Sequence, residues 1–176
     1  MPRIPYQPED LAEPAAIVSA IRKRRGGTLH HLDRMLLNSP PFAQGWNAHL
    51  GAVRTGLTVS GKLRELAICA IAVLNDAEYE WMQHAPVFLA EGGTQSQLDA
   101  LRAIDSAATR DEFDTAERAV LKLTIEMTRN VKVSDATFAA TQAVLANHQQ
   151  VAEIVGVIAT YNMVSRYLVA LGVSED

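Results

Sequence analysis

The chain has 176 residues, 48% apolar and 20% charged, a balance that suits one globular domain with a substantial core. Its formal charge of −4 excludes a whole-molecule positive field that would draw it onto nucleic acid or an anionic membrane. A single cysteine, Cys69, excludes an intrachain disulfide, a CxxC redox pair and a cysteine-built zinc site.

The N-terminal stretch MPRIPYQPEDLAEP has no signal-peptide apolar region. No apolar run approaches the ~20 residues that span a bilayer, so the expectation is a cytoplasmic protein with no membrane partner. Residues 10–25 place Leu11, Ala15, Val18 and Ile21 at helical spacing, and Gly26 and Gly27 stop the helix. Its last turn, Arg22 to Arg25, reads as a solvated basic helix end. Leu29, Leu32, Met35 and Leu36 mark a short helix that Asn38-Ser39-Pro40-Pro41 ends. Phe42, Trp46, Leu50 and Val53 carry the next, as far as Gly56.

Ser60 can cap a longer helix carrying Leu63, Leu66, Ala67, Ala70, Ile71 and Leu74. After Asn75-Asp76 comes AEYEWMQHAP, which runs on to Gly92 and Gly93. Thr94 with Gln97, and Asp114 with Glu117, have the form of capping boxes. Between them, residues 105–112 are polar and irregular. Ser134 can cap a helix containing Phe138 and Leu145, and a long apolar helix closes the chain from about Gln149 to Leu171. No segment alternates as a strand would. The expectation is an all-α fold of about eight or nine helices, with the last one central to the core, part of a subunit interface, or both.

Glu80 and His84 lie four apart and share a helix face; Glu80 could stabilise a protonated imidazole or orient the neutral ring. They could equally be an exposed pair contributing ~0.3 kcal/mol and doing no chemistry. Glu65 sits among Leu63, Leu66 and Ile68, and a carboxylate facing inward there needs a partner, for which His84 and Arg166 are candidates. Arg166 lies in the apolar last helix, where it suggests a buried ion pair or a carboxylate clamp, and Tyr161 of that helix and Trp81 are further candidate substrate contacts. Histidine spacing shows no metal motif, so no metal site is expected. Cys69 reads as a small buried hydrophobe.

The blocks RRGGTLHHLDRMLLNSPPFAQGWNAHLGAVR and LRELAICAIAVLNDAEYEWMQHAPVFLAEGGT resemble the carboxymuconolactone decarboxylase-like family, which also contains the alkylhydroperoxidase AhpD. The resemblance covers the chain from about residue 24 and is most specific over 60–93, the motif-bearing helix pair. It implies one domain over 1–176 with residues 1–27 as an N-terminal helical extension, an AhpD-like orthogonal bundle, and a homo-oligomer, trimeric or hexameric. Redox members use a glutamate, a CxxC pair and a histidine. By position the glutamate falls on Glu65 and the histidine on His84, while the cysteine positions fall on Ala77 and Glu80. The implied activity is therefore a cofactor-independent acid/base enzyme, a decarboxylase or lactone-acting enzyme on a small carboxylated substrate. His84, Glu80 and Glu65 are its expected catalytic groups. Two alternatives stand beside it: an AhpD-like peroxidase using Cys69 with an external thiol, and a non-catalytic oligomer that binds a small molecule.

Overall fold

The structure, a computed structural model, describes residues 1–175. Among these residues it contains ten helices and no strand. They are α1 (Ala15–Arg25), α2 (His31–Leu36), α3 (Pro40–Thr55), α4 (Gly61–Leu74), α5 (Glu78–Ala90), α6 (Gln95–Leu101), α7 (Ile104–Ala107), α8 (Thr115–Asn130), α9 (Asp135–Val144) and α10 (His148–Leu171). The all-α expectation holds, but the count exceeds eight or nine. One addition is α7, a single turn that runs from Ile104 into the polar stretch read as irregular. Its Ile104 and Ala107 are buried, and such short apolar spacing is too brief to register as a period.

Two compact units make up the fold: Met1–Gly56 with residues 170–175, and Leu57–Val169. In the first, α3 packs against α1 and α2. Pro40 and Pro41, expected to end a helix, instead open α3, where a missing backbone N–H costs nothing. Asp33 is buried and holds Arg24 at 3.2 Å and Arg25 at 3.0 Å, so two members of the basic run expected to be solvated tie α1 to α2.

The second unit is built around α4. This helix buries every residue from Glu65 to Ala72, the all-round burial that marks a central helix. It packs chiefly against α5 and α8, and α8 against α9. The expected caps form: Ser60 accepts from the Leu63 amide, Thr94 and Gln97 close a capping box, as do Asp114 and Glu117, and Ser134 accepts from the Thr137 amide. At the end of α5, Gly92 takes the left-handed conformation (φ 94°). The amides of Gly92 and Gly93 then donate to the Leu89 and Phe88 carbonyls, a Schellman closure.

The last helix changes one expectation. By length and composition α10 is apolar enough to cross a membrane, although Glu153 and Arg166 interrupt its apolar run. Within the protein it serves as a core helix: Ile154, Val157, Ile158 and Tyr161 are fully buried. It also carries polar side chains into that core. Asn162 donates to Thr128 of α8 at 2.9 Å, and Asn75, at the end of α4, donates to Asn162 at 3.2 Å and Ser165 at 2.7 Å. A lipid-facing helix has no use for such a network; a helix that fixes its register against α4 and α8 does.

Candidate active site

The connection from α4 to α5 is only three residues long, Asn75 to Ala77, and turns through Asp76 at positive φ (51°). The two helices are thereby sequence neighbours in close packing, and their inner faces bring Glu65 and His84 together. His84 Nδ1 lies 2.6 Å from Glu65 Oε2, with both side chains buried. A carboxylate only accepts, so the imidazole donates from Nδ1. Tyr161 of α10 meets the His84 ring edge-on, with centroids 5.0 Å apart and planes at 86°. The Glu65 hydrogen bond and the Tyr161 wall both fix the orientation of the ring.

Glu80, one turn before His84, is 1% exposed, so an exposed surface pair at these positions does not describe the protein. Ala77 and Glu80, the positions where the resemblance places cysteines, are both buried on this inner face. A carboxylate therefore occupies the place of the second thiol.

The second oxygen of Glu65 takes a hydrogen bond from Arg64 Nε at 3.1 Å. Adjacent residues on a helix face different directions, so helical spacing gives no hint of this contact. Arg64 is itself mostly buried, and its Nη2 stands 3.7 Å from Glu91, the residue that closes α5. Burial alone would push the Glu65 carboxyl up. The hydrogen bond and charge of His84, with those of Arg64, outweigh it and hold Glu65 below the ordinary carboxylate range.

Arg166 stands elsewhere. It is exposed, and its guanidinium donates to the Asn162 carbonyl and side chain within α10. The partner sought for Glu65 is thus His84 together with Arg64, not Arg166. Trp81 is half-buried and lies beneath Arg102, 3.8 Å from ring centroid to guanidinium carbon, while Arg102 also forks onto Glu78. That arrangement occupies the ring face with an arginine.

Cys69 lies one turn along α4 from Glu65 and is fully buried in an apolar cluster with Leu66, Phe88 and Leu101. Burial, then the negative charges of Glu65 and Glu80, push its thiol far up, away from the thiolate. A thiol reagent is expected to leave the folded protein unmodified and to label one thiol after denaturation. Labelling of the native protein at the denatured rate would return Cys69 to the list of candidate nucleophiles. Among the described residues no group of three or more histidine, cysteine, aspartate or glutamate side chains is arranged to hold a metal ion.

The carboxymuconolactone decarboxylase family model matches residues 40–126. No curated protein matches the sequence. Among solved structures, the chain is similar to an uncharacterized peroxidase-related protein from Ralstonia eutropha JMP134, described as an alkylhydroperoxidase AhpD core. The TM-score is 0.82 at 17% identity, covering 99% of this chain and 92% of that one. A second uncharacterized peroxidase-related protein, from Silicibacter sp. TM1040, gives a TM-score of 0.79 at 16% identity, covering 98% and 93%. The debrominase Bmp8, in a cysteine-to-alanine variant complexed with 2,3,4-tribromopyrrole, gives 0.79 at 12% identity, covering 100% and 94%. At these identities the likeness is one of fold.

Proposed function

Since the chain belongs to the carboxymuconolactone decarboxylase family yet lacks the cysteine pair of the redox members, we propose that it is a cofactor-independent acid/base enzyme acting on a small carboxylated or lactone-like molecule. The observation that carries this reading is the buried 2.6 Å contact between His84 Nδ1 and Glu65. A histidine so held has a fixed tautomer, exchanges protons with a substrate through Nε2, and gains a charge partner each time it is protonated. Loss of carbon dioxide from a carboxylated lactone leaves a dienolate-like charge on carbon. His84 would deliver the proton that quenches it, with Glu65 holding the ring and Glu80 adding a second acid/base group beside it. In this scheme the substrate's own carbanion carries the electron pair, so neither a thiol nor a redox partner enters the step.

A peroxidase reading requires a thiolate, and the burial of Cys69 argues against one. The debrominase likeness supports a wider view of the fold, in which its pocket chemistry changes while the helices persist. A homo-oligomer, trimeric or hexameric, belongs to this proposal as the assembly the family implies.

The test is a panel of γ-carboxylated lactones and related enol acids incubated in deuterium oxide, with product mass read for solvent deuterium. The expected result is one deuteron placed on carbon by the native protein and none by His84→Asn. Equal incorporation by both proteins removes His84 from the chemistry. Saturable binding of a panel member without any product makes the chain a binding protein instead.

A further inference from the structure

We propose that Arg64 is a positioning residue that sets, through Glu65, the pH at which His84 takes up its proton, and that Glu91 tunes Arg64 from its outer side. This deepens the acid/base reading above and rests on it for its catalytic meaning, but its test needs no substrate.

The geometry is a row of alternating charges. It runs from His84 Nδ1 to Glu65 at 2.6 Å, from Glu65 to Arg64 at 3.1 Å, and from Arg64 to Glu91 at 3.7 Å. Its inner members are buried and its outer end is not: the Glu91 side chain is 43% exposed. The row links α4 to the middle of α5, at His84, and to its C-terminal end, at Glu91. A structural detail keeps Glu91 in place. A Cβ at Gly61, the first residue of α4, would run into the Glu91 carboxylate, so the glycine leaves the space that the carboxylate fills.

The sign of each member's effect follows from charge. Around the His84–Glu65 pair stand Arg64 from α4 and Tyr161 from α10, with Glu91 beyond Arg64, while the neutral Cys69 thiol lies one turn along α4 from Glu65 and the buried Glu80 one turn along α5 from His84. Among the described residues, Arg64 is the one cation in direct contact with Glu65 besides the imidazole itself. It draws carboxylate density away from Nδ1 and repels a proton arriving on the ring, so it lowers the pH at which His84 protonates. Glu91 partly neutralises Arg64 and opposes that effect. Removing the two charges must therefore move His84 in opposite directions, which general loosening of the fold does not do.

The experiment is an NMR titration of isotope-labelled histidine side chains, with His84 assigned by its loss in His84→Asn. In Arg64→Gln the His84 midpoint is expected to rise by about one pH unit, the lower end of what a removed neighbouring charge does. In Glu91→Gln it is expected to fall by roughly a few tenths of a unit, the smaller effect of a half-exposed charge. Gly61→Ala, which displaces Glu91 without changing any charge, is expected to follow Glu91→Gln. An unchanged midpoint in Arg64→Gln, or shifts of the same sign in Arg64→Gln and Glu91→Gln, overturns the proposal. If Arg64→Gln does not fold, the two milder variants decide it, and an unchanged or raised midpoint in both refutes it. The two readings fail separately. Normal turnover in His84→Asn with the midpoints moving as stated sinks the catalytic reading and keeps the tuning of His84 by Arg64 and Glu91; the converse result does the opposite.

Discussion

Replacing Glu65 with glutamine is expected to slow His84-dependent proton transfer by about 100-fold or more, the lower range of what a positioned acid/base group contributes. The side chain keeps its shape, so the ring keeps a neighbour, but two things are lost. The charge that stabilises the imidazolium disappears. The amide can also present its NH2 to Nδ1, which then must accept, and the ring is left in the wrong tautomer for exchange through Nε2. The same substitution changes stability. Glutamine still offers an acceptor, so the cost at neutral pH is about 1–3 kcal/mol, set mainly by the mostly buried Arg64 that loses its carboxylate. The pH dependence has a definite sign. Glu65 has a folded pKa below its ordinary value of 4.5. The stability it contributes is therefore present above about pH 4.5 and is lost as the pH falls through the folded value. Denaturant melts at neutral pH and near pH 4 measure this: the native protein should lose more stability on acidification than Glu65→Gln. Parallel acid losses, with an unchanged deuteration rate, would show that Glu65 neither carries charge in the fold nor serves the site.

Most of the scaffold could be read from the chain because helix caps and apolar spacing are local signals. Ser60, Thr94, Asp114 and Ser134 each mark a helix start that the structure contains. Glu65 and His84 were legible as candidates for a different reason. A carboxylate among leucines and isoleucines must find a partner, and the short Asn75-Asp76 connection brings the neighbouring helix within reach. What spacing could not show was Arg64, since an i,i+1 contact needs the arginine to fold back along its own helix toward Glu65 and Glu91. Nor could it place Arg166. An arginine in an apolar helix can pair across the core or reach outward, and this one bonds back to Asn162, whose side chain also anchors the core network. The single turn α7 and the start of α3 at two prolines were also lost. For α7, packing of Ile104 and Ala107 decides a turn too short to show a period, while for α3 a proline pair that stops one helix equally opens the next.

Phe88→Ala is expected to be the most destabilising of the substitutions considered, by about 3–5 kcal/mol. The ring is fully buried one turn beyond His84, packed with Leu66, Cys69, Leu98 and Leu101. It also fixes how α5 ends. A Cβ built at Gly93 would collide with the Phe88 ring, so the glycine is required for space, whereas Gly92 is required for its left-handed backbone. Gly93→Ala should consequently cost about 1–3 kcal/mol in the native background, because a ring enclosed on all sides has nowhere to move. In a Phe88→Ala background the obstruction is gone, and the same Gly93→Ala change should cost little. Denaturant melts of the two single variants and the double variant give the coupling directly. Strict additivity would mean that the glycine answers to backbone conformation alone. Strong coupling would mean that the end of α5, and with it Glu91 and the register of His84, is set by one aromatic ring seated on a residue without a side chain.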